Sequence, residues 1–184
     1  AMSKLSAWPL ARFTAPPDEI MDWYDEPAKV PALKTWLTGI MPGQQGALLS
    51  SDLLIFGGLL HSRMEPLTDR KAGDFFTYLE DLKEDNPDKQ FYLYSIIPRL
   101  LISDHVLPDR WYQWHLMTWT INMDKKIRGL PYDKENYEEV KALIPMYLKW
   151  KYITLYRDND RFNEELVQFV TEENLTDLVI GQDD

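Results

Sequence analysis

An aspartate buried in the most apolar stretch of the chain, Gly46–Arg63 (GALLSSDLLIFGGLLHSR), constrains the fold more than any other feature. Continuous apolar runs bounded by turn signals are the pattern of a strand buried on both faces, and Ala47–Ser51 fits it after Pro42-Gly43 and Gly46. An unpaired carboxylate in the middle of such a strand costs several kcal/mol, so Asp52 belongs at the strand's carboxyl end. In α/β architectures that end is where ligands and catalysis gather.

The other elements can be arranged around this strand. Residues 3–35 are punctuated by Pro9, Pro16, Pro17, Pro27 and Pro31 and carry no sustained period. Within them Ala11–Ala15 reads as a short edge strand, Glu19–Tyr24 as a helical turn and Pro31–Leu37 as a short helix. After Arg63, Thr68 is the expected N-cap of a helix carrying Phe75, Phe76, Leu79 and Leu82 at helical spacing, ended by Asn86-Pro87. Gln90–Ile97 is rich in aromatic and β-branched residues and predicts a strand, with Pro98 stopping it and Arg99 just beyond. A strand, a helix and a strand at this separation imply a right-handed parallel unit.

Pro108-Asp109 opens a Trp-rich helix ending near Gly129, followed by helices over Asp133–Ile144 and Met146–Glu173, with Pro145 as the break between them. The last is amphipathic, but Arg157–Asn163 is a run of poor helix formers at which an interruption is expected. Asn174 is the expected stop, and Asp177–Ile180 the third strand, with Gln182, Asp183 and Asp184 at its carboxyl end. The predicted fold is α/β: a parallel sheet of βαβ units with packed helices, part of a barrel-like or doubly wound sheet. Its 184 residues amount to one domain by size.

Charge and composition restrict the partners. Thirty acidic against 20 basic residues give a net charge of −10, which argues against nucleic acid and anionic membranes, since both require positive potential. There is no cysteine, hence no disulfide, thiolate nucleophile or zinc-thiolate site. Ala47–Leu60 is too short and too polar to span a bilayer, and no signal peptide is visible, so the expected location is cytoplasmic. Ala1 ahead of Met2 reads as a tag remnant.

Parallel strands place their carboxyl ends on one edge of the sheet, so Asp52, Arg99, Gln182, Asp183 and Asp184 are expected to converge. Two carboxyl groups with a cation nearby suit general acid–base chemistry, because one acid must hold its proton while the other stays ionised. The competing reading is that these acids cap helices or bind backbone amides. Gly57-Gly58 lacks the spacing of a phosphate fingerprint and reads as a turn. His61, His105 and His115 are isolated; a metal site of His61 with Asp52 and Asp183 is a lesser alternative, and no cofactor is expected. Trp111, Tyr112, Trp114 and Trp119 suggest a sugar-stacking platform, but at helical spacing the better reading is core.

SSDLLIFGGLLHSR resembles the S-x-D-M-L-x-Y-G-G-L-x-x-S-R signature of a large, mostly bacterial family, domain-of-unknown-function family 4127. DLKEDNPDKQFYLYSIIPRL resembles its helix, Asn-Pro and strand ending in an arginine. Asn159 and Asn163 resemble its R-N-x-x-x-N element, with Asp158 where an arginine is usual, and TDLVIGQDD resembles its D-x-L-x-I-G-Q-D-D segment. PPDEI and ALKTWL are similar to its early segments. The family's opening strand with P-L-D-D-R-P has no match in Met2–Thr14, and its members run on past the paired aspartates. The chain is therefore expected to be a piece of a larger domain.

The resemblance implies matched positions without assigned roles: Asp52, Gly57, Gly58, Ser62, Arg99, Asn159, Asn163, Gln182, Asp183 and Asp184. The leading expectation is a carbohydrate-processing, glycoside-hydrolase-like domain. In it Asp183, Asp184 and Asp52 are the catalytic candidates, and Arg99, Ser62, Arg63, Asn159, Asn163 and Gln182 the substrate-binding ones. The alternatives are a non-catalytic module that self-associates through exposed sheet edges and a metal-dependent hydrolase.

Overall fold

A computed structural model describes residues 12–24, 26–98, 109–173 and 175–182. Helix α1 (Val30–Ile40) has a proline in its first turn, where no amide is needed, and buries Leu33 and Leu37 on one side. Strand β1 (Gly46–Ser50) is followed without a loop by α2 (Ser51–Phe56), the short α3 (Leu59–Ser62) and α4 (Asp69–Glu84). Strand β2 spans Gln90–Ile97. A 3-10 turn at Asp109–Tyr112 leads into α5 (Gln113–Ile127), α6 (Lys134–Leu143) and the long α7 (Met146–Glu172), after which β3 (Asp177–Gln182) completes the sheet. Thr68 caps α4 by accepting the Lys71 amide, and Asp133 caps α6 by accepting that of Asn136.

The three strands are parallel in the order β1-β2-β3, with Ser50 opposite Tyr94 and Ile97 opposite Gln182. This is the expected α/β arrangement, in an open sheet. One core joins α1, α4 and the second half of α7 to the inward residues Leu49, Phe91 and Leu93. The rings of Phe75 and Phe162 meet edge to face there, at 5.7 Å between centroids. Those helices cover one face of the sheet; on the other, Leu48, Tyr94 and Val179 are exposed. A second core, built from Leu116, Trp119, Tyr137, Val140, Ile144, Leu148 and Tyr152, joins α5 and α6 to the first half of α7.

Several expectations are corrected. The first strand stops at Ser50, because its side chain accepts the Leu53 amide and starts a helix one residue earlier than periodicity suggests. Asp52 thus sits in the first turn of α2, one step past the strand end. Helix α7 runs unbroken through Arg157–Asn163: Asn159, Phe162 and Asn163 face the interior and find partners there, while Arg161 pairs with Asp69 of α4. Tertiary contacts outweigh the weak propensity of that run. Trp119 is buried as expected, but Trp111 and Trp114 are each 70% exposed and belong to no core. Glu19–Tyr24 holds only a 3-10 turn at Asp18–Ile20, and Arg12–Ala15 forms no strand. Ala11 and Asn174 lie outside the described residues.

Candidate functional site

Asp52 is carried by the turn from β1 into α2, and its carboxyl is almost fully withdrawn from solvent, the residue being 4% exposed. Its Oδ2 accepts the backbone amide of Ile96 at 3.1 Å, which ties the start of α2 to the carboxyl end of β2. Ser62, at the end of α3 and also buried, hydrogen-bonds the same carboxyl. The Ser62 hydroxyl meanwhile donates to the Leu59 carbonyl at 2.8 Å. The hydroxyl is thus shared between the Asp52 carboxyl and the Leu59 carbonyl.

Burial pushes the Asp52 carboxyl above its ordinary value, against the opposing hydrogen bonds from Ser62, Ile96 and its own amide and the opposing charge of Arg63. Desolvation outweighs them, leaving an acid whose affinity for its proton is raised. Arg63, which ends the Gly46–Arg63 stretch, is itself 7% exposed.

The two glycines between these groups are structural. Gly57 takes a left-handed conformation (φ 80°), and a side chain there would lie 2.8 Å from Pro27 and 2.9 Å from the Ala28 backbone. The Gly57 carbonyl accepts the Ala28 amide at 2.8 Å, so the pair forms a turn packed on the segment before α1, as its spacing suggests.

One residue from Ile96, a second polar cluster begins. Ser95 Oγ donates to Asn163 Oδ1 at 2.8 Å, and Asn163 Nδ2 reaches both the Asn159 carbonyl and Asn159 Oδ1 at 2.9 Å. All three residues are buried. Farther along the same helix Tyr156 donates its hydroxyl proton to the Pro98 carbonyl at 2.7 Å. Helix α7 therefore lays a line of hydrogen-bonding side chains against the end of β2, where an apolar stripe alone would suffice for packing.

Of the residues expected to form a site, Asp52, Ser62, Arg63, Asn159 and Asn163 come together at the carboxyl ends of β1 and β2. Gln182 is exposed at the end of β3, its backbone opposite Ile97. Arg99, Asp183 and Asp184 lie outside the described residues. One participant was not among the expected site residues, Ser95, which is 1% exposed. Ser95 has a legible signal: Phe91, Leu93 and Ser95 alternate onto the buried face of β2, so a hydroxyl occupies a core register. Among the described residues no group of three or more histidine or acidic side chains stands close enough to hold a metal ion. Among them, too, no helix is long and apolar enough to cross a membrane.

Comparison with known proteins identifies one family: the model described as "Protein of unknown function (DUF4127)" matches residues 3–184. No curated protein and no solved structure matches the chain.

Proposed function

The chain belongs to the DUF4127 family, and from that premise we propose that it is a carbohydrate-processing, glycoside-hydrolase-like α/β domain with its acidic site at the carboxyl ends of the strands. One observation carries this reading. A buried carboxyl, Asp52, stands at the strand ends beside Ser62 and the cation Arg63, and its withdrawal from solvent outweighs both in raising its affinity for a proton. Glycosidic cleavage needs an acid that keeps its proton and a second carboxylate that has lost it. Environments that push two such groups apart mark the division of labour.

In this proposal Asp183 and Asp184, which follow Gln182 directly in sequence, supply the acid–base pair. Asp52, holding its proton, is a substrate partner that donates to a sugar hydroxyl, and Arg99 is a clamp for an anionic or carboxylate group. Ser62 and Arg63 hold Asp52, while Asn159 and Asn163 line the neighbouring end of β2 through Ser95. The test is a panel of chromogenic N-acetylhexosaminides and other glycosides. Turnover that falls at least a hundredfold with Asp183→Asn, and measurably with Asp52→Asn, is expected. A folded protein inactive on the whole panel, or turnover indifferent to Asp183→Asn, overturns the proposal.

A further inference from the structure

Parallel strands are stable when both edges and both faces are covered. Here the outer edges of β1 and β3 pair with nothing among the described residues. Each open edge borders a groove, largely apolar beside β1 and evenly mixed beside β3. The one beside β1 has a volume of about 930 Å³ and is lined by Leu33, Trp36 and Leu37 of α1 together with Leu48, Leu53 and Arg12. That beside β3 has about 580 Å³ and is lined by Val167 and Val170 of α7 with Asp177, Leu178 and Ile180.

The two edges are unlike each other, and they are complementary. All strands run the same way and α1, α4 and α7 lie on one face, so a β3 edge can meet a β1 edge in the same relation that β2 has to β1 inside the chain. The walls carry opposite charges, Arg12 on one side and Asp177 on the other. The bare sheet face offers less. Three strands about 4.8 Å apart and five to eight residues long cover on the order of 300 Å², well short of the roughly 800 Å² per partner of a stable interface. Docking along the edges adds the flanking helices to the buried area.

We propose that the occupant of these grooves is a second copy of this chain, the β3 edge of one molecule continuing the parallel sheet at the β1 edge of the next. Such a contact is heterologous: each addition leaves one open edge of either kind, so association proceeds past the dimer. With a net charge of −10 on every copy, association strengthens as salt screens the repulsion.

Sedimentation velocity over a wide range of protein concentration, at low and high salt, reads this directly. The expected result is a mass that rises past the dimer, and rises further with salt. Leu48→Lys disables the β1 edge and Val167→Lys the β3 edge; these side chains are 69% and 50% exposed, so circular dichroism should be unchanged. Each variant alone is expected to associate at least tenfold more weakly, although each lowers the net repulsion. An equimolar mixture retains one intact edge of each kind and is expected to form a dimer and nothing larger. A monomer under all conditions overturns the proposal, as does a dimer that ignores both substitutions or a mixture that fails to pair.

Discussion

Helix α7 belongs to two regions that handle buried polar groups differently. Its second half, against the sheet, places Asn159 and Asn163 where Ser95 and each other complete their hydrogen bonds. Its first half, against α5 and α6, buries the Tyr152 hydroxyl with no hydrogen-bond partner among the described residues, and α5 does the same with Trp119 Nε1 and His115 Nδ1. Other buried polar groups there are satisfied: Asp109 is held by Tyr147 at 3.0 Å and Lys151 at 2.9 Å, and Thr120 and Asn122 donate to carbonyls of their own helix. The helical region also exposes Trp111, Trp114, Met146 and Trp150. Ser95, Asn159 and Asn163 near the sheet thus form a connected set, whereas the unpartnered atoms of the helical core are carried by aromatic rings that pack for their area. A connected, satisfied network inside a protein has little tolerance for loss of one member, and an orphaned donor is better removed.

The largest effect should therefore come from Asn163→Leu. It removes the acceptor of Ser95 and the donor to Asn159, leaving buried groups unpaired, and is expected to cost about 2–4 kcal/mol in urea denaturation. A loss under about 1 kcal/mol would make the sheet-side network no different from the helical side.

Next comes Asp52→Asn, which separates stability from function. Because the folded protein raises the Asp52 pKa from its ordinary 3.8, this group's contribution is most favourable below that pH. It is lost as pH rises from 3.8 through the raised folded value, and stays lost above it. Asparagine cannot ionise and keeps an acceptor for the Ile96 amide. The variant is expected to melt at a higher temperature than the parent at neutral pH, to lose that advantage near pH 3, and to be the less active protein. A parent whose stability instead grows over that interval relative to Asp52→Asn would show a carboxylate stabilised by Arg63, and the acid role would fall.

The same division explains what could be read beforehand. Three parallel strands were legible because Ala47–Leu49, Phe91–Ile97 and Leu178–Ile180 are apolar runs with turn signals around them, and Thr68 announces its helix. Asp52 was legible as a boundary residue because a carboxylate has no place in a strand. Its real position, inside a helix capped by Ser50, depends on one hydrogen bond that competes with strand continuation. The unbroken course of α7 was not legible, since what holds Arg157–Asn163 helical is contributed from far along the chain by Ser95, Phe75 and Asp69. Exposure of Trp111 and Trp114 escaped for a related reason: periodicity identifies a face of a helix, and only the neighbours decide whether that face is covered.

The smallest effect tests the helical side of the comparison. Tyr152 is 2% exposed, and its hydroxyl finds no acceptor among the described residues. Burial, with the nearby charges of Asp109 and Tyr156, holds its proton far more tightly than an ordinary phenol. Phenylalanine keeps the ring, fills nearly the same volume and removes an atom that paid desolvation for no bond. Tyr152→Phe should accordingly leave the fold intact and raise the unfolding free energy in urea by about 0.5–1 kcal/mol at an unchanged m-value. A loss of similar size would mean that the hydroxyl serves a partner in solution. The line of polar side chains along α7 would then continue from Asn163 and Asn159 through Tyr156 to Tyr152, and the two regions would be one site.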